Sequence, residues 1–465
     1  MKLRNVLLGL AALLVNACAT TPPRVIEAGD PVTAFTGVTV ITEYGGERLR
    51  NHTVAVRGDR IIAIGRDGSI VLPEGSTVVH SPGRFIAPGI ADMHVHWFNP
   101  SYGALFLANG ITTVRNPSGG EGIAQLIAAV ASGQTPGPVM YSSGQLIDGP
   151  TSFWGPQVTT TTPEQVRERV RADAAAGYPA IKLYAELSPE QFAAGVEEAR
   201  AHNLQIYAHV PRSMTLQQVL AHHIDSVEHL DGFDRALDGE GQTSAQRWAT
   251  VRPARFAPLA QEVVDSGVWN APTLIVLLAP ARAFADMDAA AARPEMRYAD
   301  PGLVAFWRGY YDRIPAGTDL AARWRLTEQG HQQRLAVLRA LHEAGAPLLI
   351  GTDTPNPYVV PGFSIHEEMG FFQEAGFTPT QILRIATVDA ARFLNKQDEF
   401  GRIAEGQRAD MLLLAADPEQ DLSVLRAPAG VMAAGRWYDR ARLDAMLSEA
   451  AANAAEQDSD ATSQQ

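Results

Sequence analysis

The stretch "PAIKLYAEL", residues 179 to 187, decides how this chain is read. Its centre is a short aliphatic run of the kind found in buried strands, and "SPEQ", starting at Ser188, opens a helix directly behind it. Lys182 stands in the middle of that strand. Strand alternation puts Ile181 and Leu183 on one face and Lys182 on the other. In a closed parallel barrel the first two would meet the surrounding helices and Lys182 would point inward. An unpaired ammonium group there is costly.

The stretch is one of a series. Strand candidates are "GIADMHVH", "GITTVRN", "PVMYSSG", "AIKLY", "QIYAHV", "DSVEHL", "APTLIVL" and "APLLIGTD", with helical segments between them. "TPEQ" at Thr162, "SPEQ" at Ser188 and "TPTQ" at Thr378 each offer a hydroxyl N-cap, proline in the first turn and glutamine at N3. Eight strand–helix alternations, with no glycine-rich phosphate loop after the first strand, predict a (β/α)8 barrel of the TIM type rather than an open doubly wound sheet. The barrel is expected over 87–400, with a helical insertion at 280–335 that carries Trp307, Tyr310, Tyr311 and Trp324. The insertion reads as a lid or as an oligomer contact. Short β-branched runs over 32–86 and again over 401–441 predict a small β-sandwich domain built from both segments. The tail, 442–465, is poor in large apolar residues and is expected to be flexible.

The chain's 465 residues are enough for one large and one small domain, and 46% hydrophobic with 19% charged residues is ordinary globular composition. A net charge of −13 argues against nucleic acid as a partner. Lys2 and Arg4 precede an apolar run from Val6 to Val15 that is too short to span a bilayer, so 1–17 is expected to be a signal peptide. "VNAC" resembles the lipobox of bacterial lipoproteins, which implies cleavage before Cys18 and lipidation of its thiol. Residues 18–31 would then be a tether, holding the protein in the periplasm by lipid in the outer membrane and touching the membrane in no other way. Cys18 is the only cysteine, so no intrachain disulfide can form.

The chemistry gathers at strand ends. "DMHVH" places His94 and His96 on one face, where two imidazoles can chelate one metal ion. His209 in "YAHV", His229 in "VEHL" and Asp353 in "IGTD" end later strands, and all such ends open on one mouth of a barrel. Lys182 then has two readings: an ion pair with Glu186 or Asp353, or a neutral amine that adds carbon dioxide and bridges two divalent cations as a carbamate. Trp97 and Phe98 follow the histidine pair as walls, Phe153 and Trp154 add aromatic surface, and Tyr184 shares the face of Lys182. Arg115 and His366 are candidate substrate contacts, with a structural ion pair as the competing role for Arg115.

"APGIADMHVH", "NGITTVRN", "AIKLYAELS", "IYAHV", "VEHL", "GTDT", "ATVDAARFLN" and "GRIAEGQRADMLLL" cover nearly all of residues 33 to 440. On these motifs the chain resembles the amidohydrolase superfamily, in particular its imidazolonepropionase-like and Xaa-Pro-dipeptidase-like members. The resemblance implies two divalent metal ions, zinc being expected. His94, His96 and Asp353 would hold one ion, His209 and His229 the other, and carbamylated Lys182 would bridge them. It also implies hydrolysis of an amide-type C–N bond in a small substrate, an N-acyl amino acid or a dipeptide-like molecule. The attacking group would be a metal-bridging hydroxide, with Asp353 as general acid and base. "YAELS" stands where dipeptidase relatives often carry "TGG", which does not favour dipeptides. The competing readings are a mononuclear deaminase or cyclic-amide hydrolase, which generally lacks the bridging lysine, and a non-catalytic lipid-anchored binding protein. The latter predicts a lost ligand, whereas all six positions are filled. Self-association is left open.

Overall fold

The computed structural model describes residues 23–120 and 122–463, so the expected signal peptide and Cys18 lie outside the described residues. Seven parallel strands follow one another in the catalytic half: Ile90–Asp92, Ile111–Asn116, Val139–Ser142, Ala180–Leu183, Gln205–Ala208, Ser226–Glu228 and Trp269–Ala271. Residues 347–350 are the eighth stave. Leu348 bridges Asn270 in parallel, and the Met93 amide donates to the Ile350 carbonyl at 2.8 Å, returning the ring to its first strand. Between the third and fourth strands, Gly144 N–H to Ala180 O (3.0 Å) and Ile147 N–H to Lys182 O (2.8 Å) complete the closure. The result is a closed α/β barrel.

Side-chain alternation in Ala180–Leu183 follows the expected pattern. Ile181 and Leu183 join the core shared with the outer helices, while Ala180 clusters with Met93, Tyr207 and Phe393 inside the ring. Ser188 and Thr378 form complete capping boxes. The Thr162 cap is one-sided, because the Gln165 carboxamide oxygen takes the Thr161 amide instead.

Two elements of the barrel differ from expectation. The seventh stretch, "APTLIVL", is strand only to Ala271, and Leu274–Ala285 is a helix. Thr273 turns the backbone into the left-handed region (φ 44°), and the buried Glu368 carboxylate accepts the amides of Leu274 and Ile275 at 2.9 and 2.8 Å. A cap supplied from 94 residues away overrides a β-branched run. The 280–335 insertion is also less separate than expected. Its last part belongs to the long helix Leu320–Ala344, which packs on Ser244–Thr250 and Phe256–Ser266 as a barrel helix. The helix Pro301–Tyr311 leans on the mouth, where the buried Trp307 indole donates to the Pro355 carbonyl at 2.7 Å.

The N- and C-terminal segments share one curled eight-stranded sheet rather than the two facing sheets of a sandwich. The strand Val32–Ile41 pairs with Thr77–His80 along its first half and with Phe85–Pro88 along its second. Between them Gly37 sits at φ 72° in a register shift, and the bulge bends the sheet around Phe35, Val54, Ile86, Met411 and Met432. Phe85–Pro88 runs directly into the first barrel strand, so this sheet anchors the strand that ends at His94. The expected tether is already docked from Arg24, since Arg24–Val25 lies parallel to Ile70–Val71.

The expectation of a flexible tail is corrected: Arg440–Ser463 is a helix. Leu443, Met446, Ala450 and Ala454 make a buried stripe at helical spacing, packed towards Tyr102–Ala108. Small alanines let the helix approach closely, so few large apolar residues are needed. Among the described residues no helix is long and apolar enough to cross a membrane.

Candidate active site

Each residue marked in the sequence as a metal ligand stands at the C-terminal end of a stave. His94 and His96 follow Ile90–Asp92, Lys182 lies in Ala180–Leu183, His209 follows Gln205–Ala208, His229 follows Ser226–Glu228, and Asp353 follows the eighth stave. Ligand atoms of His94, His229 and Asp353 lie within 4.8 Å of one another. His96 Nε2 is 2.9 Å from Asp353 Oδ1, and the His209 and His229 rings are 4.6 Å apart. His229, Leu230, Thr273 and Asp353 all adopt positive φ (61°, 52°, 44° and 57°). Such backbone costs about 1–3 kcal/mol per residue and persists only where the surroundings impose it.

Burial sets the protonation of these groups. It lowers the pKa of His94 far below the usual imidazole range and that of His229 to about 4, against the pull of nearby Asp353. Both rings are therefore neutral at pH 7, the form that binds metal. His94 Nδ1 is 2.6 Å from a Glu228 oxygen and His229 Nδ1 is 2.6 Å from Thr273 Oγ1, contacts that fix the ring orientations. Burial pushes the Asp353 carboxyl up, whereas positive charge on the His94 and His229 rings, when they are protonated, and a hydrogen bond from His96 bring it below the usual carboxylate range. Burial lowers the pKa of the Lys182 amine to about 8, with Glu228 resisting the shift.

Lys182 Nζ is buried and has no hydrogen-bond partner among the described residues. Of the two carboxylates that the ion-pair reading offered, Glu186 pairs with Arg212 at 2.5 Å, and Asp353 faces the histidines. Four imidazoles, one ionised carboxylate and one orphaned amine of lowered basicity are a donor set that suits divalent cations. The residues fit the metal that the resemblance implies.

The amidohydrolase family profile matches residues 85–438, most of the chain. The chain belongs to the amidohydrolase family. Ochratoxinase from Aspergillus niger is 22% identical over 457 residues, covering 83% of this chain and 82% of that protein. Among solved structures, a bottromycin amidohydrolase superposes with a TM-score of 0.72 at 23% identity, covering 91% of this chain and 90% of its own. A protein from Bifidobacterium longum assigned as a prolidase superposes with a TM-score of 0.66 at 25% identity, covering 90% and 99%. This amidohydrolase is thus an enzyme of the class that hydrolyses carbon–nitrogen bonds.

Above the histidines the amidohydrolase opens into a cavity of about 720 Å³. Tyr184 lies against His209 (ring centroids 4.1 Å apart), and Trp154, Phe153 and Tyr310 continue the aromatic wall at 6.4, 5.1 and 5.6 Å in turn. Burial keeps the Tyr184 phenol protonated, with its pKa raised far above the ordinary value. Trp97 backs the wall, its indole N–H donating to Asn99 O at 2.9 Å. Phe306 and Tyr310 come from Pro301–Tyr311, so part of the insertion serves as cavity wall.

Two expected substrate contacts are corrected. Arg115 is fully buried and holds Glu228 bidentately, at 3.1 and 2.7 Å, with its guanidinium 4.5 Å over the Tyr207 ring. It faces the barrel interior below the cavity and steadies His94 through Glu228. His366 lies in the helix Ile365–Glu374, which carries it away from the mouth, and its Nε2 is 3.0 Å from Asn109 Oδ1. The sequence reading missed Glu228, although a carboxylate inside a buried strand beside His229 is the same kind of signal as Lys182. It also missed Asp231, whose carboxylate contacts His209 Nδ1. Only the left-handed turn after His229 brings Asp231 there.

Proposed function

We propose that this amidohydrolase cleaves the amide bond of a small substrate with an apolar or aromatic part, such as an N-acyl amino acid or a dipeptide-like molecule, using two divalent cations. The observation that carries the reading is the buried, unpartnered Lys182 amine amid four histidines and Asp353 under an aromatic cavity. His94, His96, His209, His229 and Asp353 would hold the cations with Lys182, as its carbamate, between them. When bound, the cations supply Lewis acidity towards a carbonyl oxygen and acidify water.

The chain's own groups do the rest. Asp353, ionised at neutral pH, accepts the proton of the attacking water and passes it to the leaving nitrogen. The Tyr184 hydroxyl, protonated and beside His209, is placed to donate to the substrate carbonyl oxygen. Trp154, Phe153, Phe306 and Tyr310 exclude water and bind the apolar part. We also propose that the enzyme works as a lipid-anchored periplasmic protein, a reading supported by "VNAC" and the apolar run before it.

The test is elemental analysis of protein purified without chelator, beside Lys182→Ala, with hydrolysis of a panel of N-acyl amino acids and dipeptides followed in parallel. About two divalent ions per chain, falling to one or none in the variant along with activity, is the expected result. One ion per chain, unchanged in the variant, would transfer the case to a mononuclear deaminase or cyclic-amide hydrolase.

A further inference from the structure

We propose that the cavity holds an anion subsite built on Arg334, which receives a carboxylate on the substrate remote from the bond that is cleaved. The inference rests on the amide-hydrolysing reading above and names the substrate class more closely: amides with one half ending in a free carboxylate and an apolar body between.

Arg334 is an anomaly on its own helix. Leu320–Ala344 buries a stripe that includes Thr327, Gly330, Arg334, Leu338 and Leu341, and arginine is among the residues least often buried without a partner. Here it is only 4% exposed and lies in the cavity wall. Its guanidinium carbon is 4.6 Å from the centre of the Trp248 ring. Nε and Nη1 are buried without any hydrogen-bond partner among the described residues. Gly330 permits this seat, since a Cβ there would fall 2.9 Å from Trp248 Cβ and 3.3 Å from Arg334 Nη1.

The neighbouring charges are already committed. Asp234 is the carboxylate nearest in influence, but its oxygens take Arg247 Nε at 2.7 Å and the Arg235 amide at 2.9 Å. The Arg235 guanidinium donates to the carbonyls of Pro211 and Met214, and Arg247 Nη1 to those of Gly241 and Gln242. His331, in the preceding turn of the helix, is kept neutral by burial. Arg247 and Arg334 therefore share the influence of one aspartate, and among these arginines only Arg334 has buried guanidinium donors without acceptors among the described residues. Burial brings its pKa down only to about 10, so it keeps its charge at pH 7.

A planar guanidinium with free N–H groups on a cavity wall is matched by a carboxylate. Leu230, Leu277 and Trp248 in the same wall suit an apolar body rather than a multiply charged one. The turn after His229 leads into the short helix Phe233–Ala236, and the histidines and Arg334 line the same cavity.

The experiment is calorimetric titration of the metal-loaded protein with 3-phenylpropionate and with its uncharged counterpart, 3-phenylpropan-1-ol. Neither can be hydrolysed. The acid is expected to bind about 10- to 100-fold more tightly than the alcohol, the range of a charge-assisted hydrogen bond. That ratio should collapse towards one in Arg334→Met and recover in part in Arg334→Lys. Should Arg334→Met fail to fold by circular dichroism, Arg334→Gln gives the same readout. A preference for acid that survives loss of the guanidinium would place the carboxylate on the metal ions and overturn the proposal, as would equal or absent binding of both probes by the native protein. Because these probes are inert, the two readings fail separately. Arg334-dependent acid binding without hydrolysis of any amide would remove the function but leave the subsite. Amide hydrolysis without such dependence would do the reverse.

Discussion

Replacing Lys182 by methionine should make the metal-free protein more stable while removing its metal site. Burial brings the lysine ammonium from its ordinary value of 10.5 down to about 8, the Glu228 carboxylate opposing and Arg115 reinforcing the drop. At 1.36 kcal/mol per tenfold change in proton affinity, that difference is about 3 kcal/mol of folding free energy lost to the buried charge. Methionine keeps the length of the stem and carries no charge, so most of this should return. The pH dependence gives the argument its sign. Below pH 8 the lysine is charged in both states and the cost is full. Between about 8 and 10.5 the folded lysine is neutral while the unfolded one still binds a proton, so the native protein regains stability as pH rises. The advantage of Lys182→Met should therefore be about 3 kcal/mol at pH 7 and vanish near pH 10.5. Urea denaturation of chelator-treated protein in degassed buffer measures it. A variant no more stable than the native protein at pH 7, or an advantage unchanged at pH 10, would show that the ammonium has a compensating partner and would refute the reasoning. Function and stability pull in opposite directions at this residue.

Three further outcomes are expected. Glu228→Gln removes the partner of fully buried Arg115 and should cost about 3–5 kcal/mol in urea denaturation, with weakened metal retention because His94 loses its orienting carboxylate. Glu368 is raised by burial to about 8, so its contribution is fully present below pH 4.5 and is lost as pH rises to about 8; Glu368→Gln should flatten that slope, read as urea midpoints at pH 5 and pH 8. Leu443→Ala, in the C-terminal helix, should cost about 2–5 kcal/mol, whereas a frayed tail would show no change in melting temperature.

Strand alternation made much of this protein legible in one dimension. The period of two in "DMHVH" and "PAIKLYAEL" puts His94, His96 and Lys182 on the face opposite the apolar residues, because neighbouring side chains on a strand must point apart. The capping hydroxyls at Ser188 and Thr378 act within four residues of chain and were equally readable. Other features depend on partners far away in sequence. Whether Arg115 meets substrate or Glu228 rests on a contact 113 residues distant, and "TLIVL" becomes helix because Glu368 caps it. The C-terminal helix is held by a buried stripe, Leu443, Met446, Ala450 and Ala454, whose helical spacing a composition count does not register. Arg334 looks like any helical surface arginine in the sequence. It becomes a buried, unpaired cation on a cavity wall only when the barrel closes and Trp248 is packed beneath it, because desolvation and pairing are properties of surroundings that the local chain does not contain.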